Sequence, residues 1–370
     1  MAVVGDNLTK MSTCDSLYKP VAQSNDIKIR FNLELLKGCE FQCAGCYVNR
    51  NNTYTANDLE VIYRAMNDFR REGYVFDEII LGPTDFFGAY NTIDLLEHPL
   101  FQRLFDQKLV LTLLTTLQTD PEEIKRRIML VNEKIGSNIE LEILIPIHVK
   151  KIIARDEAYV RDLKERIKLL ELFDCEVEYA MQMNIQDMSY LAGFDLKAIS
   201  DYVWNEFQTI TEFNPSFLRS TNAGLNLQTI GAWNQMLSES MKDEYTYGDE
   251  RITFTMANPN HAGFNEITYN FHKGAFYNCP FIYENVFDRS ESFKIPAASA
   301  DGFYLASDFT KQKDRVDQQQ LAYLKKTDEC ESCPHAMSCV SKQVLFYMEN
   351  KDIKRCILAK DVLDLYLDKV

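Results

Sequence analysis

Between residues 27 and 240, short apolar runs alternate with longer stretches whose apolar positions recur every three to four residues. The pairs are 27–36 with 56–71, 76–81 with 92–105, 109–114 with 121–132, 139–149 with 156–172, 175–183 with 196–210, and 225–230 with 232–240. Each short run has the length of a strand and each longer one that of a helix, which predicts six strand–helix units. Helical crossovers between strands imply a parallel sheet, so the fold class is α/β. Six units are too few for a closed eight-unit barrel. After about residue 243 the rhythm changes: 251–256 and 266–271 read as strands of a hairpin-rich region, and a helical stretch runs through Cys356. The expected organisation is an arm over 1–25, an α/β region over 26–243, and a smaller cysteine-rich α+β domain over 250–370.

The 370 residues are 46% hydrophobic and 12% aromatic with only 10 prolines, a composition that supports a packed core. A formal charge of −15 gives no electrostatic footprint for nucleic acid. Basic residues do occur at Lys125, Arg126 and Arg127 and again at Lys164, Arg166 and Lys168, among acidic neighbours on predicted helices, and they read as solvated faces. The chain opens without the basic segment and apolar core of a signal peptide and holds no apolar run of about 18 residues, so no membrane association and a cytoplasmic location are expected.

Ten cysteines in such a chain argue for metal ligation over disulfides. Cys39, Cys43 and Cys46 are spaced x3 and x2 directly after the first predicted strand; Cys330, Cys333 and Cys339 are spaced x2 and x5. Thiolates are soft ligands, and three on one short loop suit three irons of a four-iron cluster, leaving the fourth without a protein ligand. A structural zinc site more often shows paired C-x2-C knuckles and a fourth ligand. Cys14 and Cys175 read as ordinary thiols.

The Cys39-x3-Cys43-x2-Cys46 loop after the first strand resembles the hallmark of the radical S-adenosylmethionine superfamily. The resemblance implies a partial (β/α)6 parallel barrel, a 4Fe-4S cluster on these three cysteines, and S-adenosyl-L-methionine chelated at the open iron. It further implies one-electron cleavage to a 5′-deoxyadenosyl radical, which abstracts hydrogen from an unactivated carbon. Gly82, Thr84 and Asp85 lie where the family carries a Gly-Gly-Glu-like segment for the methionine amino group, although the second glycine is replaced and the acid is shorter. His148 falls where related enzymes have an acidic residue at the end of the fourth strand, and a lone histidine there also fits a hydrogen-bonded core residue. Gln182 and Asn184, at the end of the fifth strand, are placed to face the barrel mouth. An external electron donor such as flavodoxin or ferredoxin is implied.

Gly274-x4-Cys279 together with Cys330-x2-Cys333-x5-Cys339 resembles the SPASM/twitch extension, which implies one auxiliary 4Fe-4S cluster. Gln343 stands where a further cysteine is expected, and the fourth ligand is Cys356 or Cys279. The function implied is radical modification of a peptide or protein. Only 38 residues precede Cys39, so any leader-recognition module is expected on a separate chain. The alternatives are oxidation or rearrangement of a small biosynthetic metabolite, and a non-catalytic zinc-binding protein stapled by both cysteine groups.

Overall fold

The computed structural model describes residues 28–41, 56–71, 75–82, 84–184, 196–214, 252–254, 266–270, 275–277 and 294–295, with the single positions 311 and 315. Among the described residues the first elements are β1 (Lys28–Glu34), α1 (Ala56–Arg71) and β2 (Val75–Gly82). Two short helices, α2 (Thr92–Glu97) and α3 (Pro99–Gln102), lead to β3 (Leu109–Leu114), α4 (Pro121–Lys134) and β4 (Ile139–Ile147). Then come α5 (Val149–Ile153), α6 (Glu157–Ile167), β5 (Val177–Asn184), α7 (Leu196–Phe207) and β6 (Thr211–Asn214). Strands β7 (Ile252–Phe254), β8 (Glu266–Asn270), β9 (Ala275–Tyr277) and β10 (Lys294–Ile295) follow.

All ten strands share one sheet in the order β10-β9-β8-β1-β2-β3-β4-β5-β6-β7, and the pairs from β8 through β7 are parallel. The fold is α/β, a parallel sheet with helical crossovers of the partial-barrel type. In β4 the odd positions Leu141, Ile143, Ile145 and Ile147 are buried against the helices, whereas the even positions are more open. This period of two is what a strand with one face on a helical layer requires. Helix starts obey local chemistry: Asp120 caps α4 by accepting from Glu122 N and Glu123 N, with Pro121 at the first helical position, and Asp156 caps α6 through Tyr159 N.

One aromatic, Phe31, ties distant parts of the chain together. Its ring packs edge-on against Phe69 of α1, Phe76 of β2 and Phe276 of β9, all fully or nearly fully buried. Phe76 shares the Phe31 side because the β1–β2 register shifts between Ile29 and Arg30, leaving Asp77 as the extra residue and aligning Glu78 with Arg30 on the opposite face.

Two expectations change. The strand after α7 is Thr211–Asn214, only a few residues beyond the helix. Its four residues are too short to show a period; the stretch at 225–240 lies outside the described residues. Second, 252–254 and 266–270 do not pair with each other: β7 joins β6 at one edge of the parallel sheet, β8 joins β1 across it, and the hairpin is β8–β9. The sheet therefore crosses the 243–250 boundary. Local pattern identifies these strands, but partner choice depends on edges that only the assembled sheet presents. The arm over 1–25 lies outside the described residues.

Candidate functional site

The carboxyl edge of the parallel sheet is where loops after β1, β2, β3 and β4 meet, the usual place for a site in such folds. Beyond β1 the chain turns at Gly38, whose φ of 63° is a left-handed conformation that suits glycine. Cys39 follows, half-buried. The approach to it is held by the loop after β2. Asn91 accepts from Lys37 N at 2.6 Å and donates its amide to Leu35 O at 2.9 Å, Tyr90 N donates to Lys37 O, and Glu40 N donates to Gly88 O. The Tyr90 hydroxyl donates to Cys39 O at 3.1 Å. A side chain at Gly88 has no room, because its Cβ would lie 2.7 Å from the Phe41 ring.

That β2 loop is itself rigidly built. The Asp85 carboxylate is buried and accepts four hydrogen bonds: Oδ1 from Gly88 N (2.8 Å) and Thr115 Oγ1 (3.0 Å), Oδ2 from Thr116 N (2.5 Å) and Thr116 Oγ1 (2.7 Å). Burial pushes its carboxyl up, and the donors from Thr116, Gly88 and Thr115 oppose that push. Arg127 reaches under the loop to the carbonyls of Phe86 and Ala89, which Thr92 Oγ1 also approaches. The loop after β3 is clamped in the same manner. Arg166 donates to Leu117 O and Thr119 O, Leu117 is fully buried with a positive φ of 55°, and Thr119 Oγ1 donates to Glu40 Oε1 at 2.5 Å. Arg127 and Arg166 thus depart from the solvated face expected of their basic runs, while Lys125, Arg126 and Lys168 keep it, pairing with Glu122, Glu123 and Glu165. A guanidinium can satisfy two carbonyls at once, so an arginine in a charged run need not face water.

His148 ends β4 and precedes α5; its Nε2 lies 2.8 Å from Gln118 Nε2, and its backbone N donates to Tyr159 Oη. Burial, then Lys151, lowers its pKa, so the ring is neutral at pH 7. Burial pushes the Tyr159 hydroxyl up to about 12.

Of the predicted site residues, the structure gathers Cys39, Gly82, Thr84, Asp85 and His148 onto these four loops. Among the described residues, a Cβ at Gly82 would meet nothing within 4 Å, and the buried Thr84 Oγ1 has no hydrogen-bond partner. Gln182 is buried in register with Pro146 and Glu212, and Asn184 is in register with Asn214. The Asp85 oxygens, expected to receive an ammonium, already serve Gly88, Thr115 and Thr116. Cys43, Cys46, Cys279, Cys330, Cys333, Cys339 and Cys356 lie outside the described residues. Asn91, Tyr90, Thr116, Gln118, Thr119, Arg127 and Arg166 were not singled out from sequence as site-building residues.

Deeper on the face away from the helices, Arg30 pairs with Glu78 at 2.5 Å, and Thr112 Oγ1 donates to Glu78 Oε1 at 2.7 Å and lies 3.4 Å from Glu142 Oε2. Solvent still reaches Glu142, but crowding by protein, followed by repulsion from Glu78, pushes its carboxyl up. The Thr112 proton serves only one acceptor at a time, so a protonated Glu142 suits the second contact.

No protein-family model matches the chain, and no curated protein matches it. Among solved structures it is similar to Streptococcus suis SuiB bound to precursor peptide SuiA, with 10% identity, 85% of this chain and 71% of that chain covered, and a TM-score of 0.51. It is also similar to anSMEcpe with bound AdoMet, at 10% identity over 93% of this chain and 96% of that chain with a TM-score of 0.55, and to native anSMEcpe with bound AdoMet and Cp18Cys peptide, at 10% identity over 92% and 96% with a TM-score of 0.54. At this identity the likeness is one of fold. No helix among the described residues is long and apolar enough to cross a membrane.

Proposed function

We propose that the chain is a radical S-adenosylmethionine enzyme that modifies a peptide or protein substrate. The observation that carries this reading is the departure of the cysteine loop from the carboxyl end of β1, braced against the loop after β2, where, among the described residues, no atom lies within 4 Å of a Cβ at Gly82 and the buried Thr84 hydroxyl has no partner. Support comes from the fold shared with SuiB and anSMEcpe, whose structures hold a precursor peptide or AdoMet with a peptide.

Cys39, Cys43 and Cys46 fit a 4Fe-4S cluster by donor type and spacing. When bound, such a cluster supplies the electron that cleaves S-adenosyl-L-methionine and releases the hydrogen-abstracting 5′-deoxyadenosyl radical. The protein's part is to bind and to exclude water. Gly82 leaves room for the cofactor's methionine end and Thr84 Oγ1 offers it a hydrogen bond. Asp85 acts by holding this loop to Thr115 and Thr116. Neutral His148, paired with Gln118, presents a polar contact at this edge, and Gln182 and Asn184, at the end of β5, are assigned as further cofactor-binding residues. The auxiliary cluster is assigned to Cys330, Cys333 and Cys339 with Cys356 or Cys279, in a SPASM/twitch-like domain; a flavodoxin or ferredoxin supplies electrons, and the enzyme works in the cytoplasm.

The test is reductive cleavage of S-adenosyl-L-methionine by anaerobically reconstituted protein with dithionite. 5′-Deoxyadenosine is expected, and it should vanish with Cys39→Ala. Peptide and small-metabolite pools, screened for stimulated cleavage and a mass change, separate the two substrate classes. No 5′-deoxyadenosine from protein loaded with iron and sulfide would refute the reading.

A further inference from the structure

Resting on the cluster assignment to Cys39, we infer that Tyr90 and Asn91 are positioning residues for the metal-binding cysteine loop, acting through its backbone. Two adjacent residues of the β2 loop engage two consecutive stretches of the approach. Asn91, buried, binds Leu35 O and Lys37 N on either side of Leu36. Tyr90 N binds Lys37 O and its hydroxyl binds Cys39 O, bracketing the left-handed turn at Gly38. Glu40 N is meanwhile tied to Gly88 O. The Lys37–Gly38 and Cys39–Glu40 peptide groups are therefore held from one side by a single loop, which Arg127 and Asp85 hold in turn.

This arrangement has a chemical consequence. A ligating thiolate is placed by the torsions of its own backbone, and groups that orient a ligand without touching the metal commonly change metal affinity by about 10–100-fold. Cluster potential and magnetic properties also respond to the hydrogen bonds and solvent around the sulfurs. Tyr90 is 63% exposed, more than an apolar packing role would leave it, and the described contact of its hydroxyl is with the carbonyl of the first cysteine.

The experiment compares wild type, Tyr90→Phe and Asn91→Leu as full chains reconstituted anaerobically with iron and sulfide. Iron loss to a chelator, the reduced-state electron paramagnetic resonance spectrum and thermal unfolding are recorded for each. Tyr90→Phe is expected to lose iron about threefold faster, the equivalent of one weak hydrogen bond, with an altered spectrum and an unchanged unfolding midpoint. Asn91→Leu keeps its volume but loses both amide contacts, and should lose iron at least about tenfold faster. If Asn91→Leu fails to fold, Tyr90→Phe decides alone. Wild-type protein that retains iron, beside a Tyr90→Phe variant with the same retention and spectrum, overturns the positioning role but leaves the proposed function intact. Wild-type protein that takes up no iron overturns both.

Discussion

At the scale of single residues, the site is organised by side chains that hold backbone. Asp85 spends all four lone-pair directions on donors from Gly88, Thr115 and Thr116. Asp85→Asn turns an amide donor toward some of these donors, leaving a buried group unsatisfied, and a loss of about 2 kcal/mol in denaturant unfolding is expected. Gly38→Ala forces a Cβ into the left-handed region and is expected to destabilise by about 1–2 kcal/mol, measured the same way. Glu142 tests the lumen network through pH. Its folded-state pKa is raised by desolvation and Glu78, so its contribution to stability is complete below the ordinary carboxylate value and is lost as pH rises through the raised one. Glu142→Gln mimics the protonated form. It should therefore be more stable than wild type at pH 7, with the difference shrinking as pH falls toward 4; an equal difference at both pH values would remove the proton from this network.

At the scale of elements, the edge-on contacts of Phe31 bring helix α1, strand β2 and the late strand β9 into one packed cluster. Phe31→Ala should cost about 3–5 kcal/mol, as for other large buried aromatics, with a single cooperative unfolding transition if β9 belongs to the same unit; two separated transitions would show that it does not. The first five strands were legible as short apolar runs, alternating in burial in β4 and nearly continuous in β3, and the helices between them as longer stretches with apolar positions every three to four residues. The sixth strand was not: Thr211–Asn214 is too short to declare a period and follows α7 almost directly. The parallel placement of β7 and β8 at opposite edges was equally hidden, because strand partners are chosen by the geometry of the whole sheet and not by the strand's own residues.

At the scale of the whole molecule, one sheet gathers the loops after β1, β2, β3 and β4 at its carboxyl edge, so residues as far apart in the chain as Cys39 and His148 lie along that one edge. Sequence reading singled out Cys39, Thr84 and His148 because their residue types stand out at strand ends. It passed over Asn91, Arg127 and Arg166, since a buried amide or guanidinium that satisfies distant carbonyls has no local signature; its partners lie about 40 to 55 residues away. Asp85 was found for its charge, yet its oxygens turned out to hold the loops together. The proposed chemistry needs this division of labour, with few groups facing the reaction and many keeping the loops in place.

The most direct measurement is iron and sulfide content after anaerobic reconstitution, for wild type and for the combined Cys39→Ala, Cys43→Ala and Cys46→Ala variant. About eight irons per chain in wild type, falling to about four in the variant, is the expected result for two cysteine-ligated four-iron sites. A colourless protein that takes up zinc but no iron would contradict the radical enzyme reading and support two structural metal staples in its place.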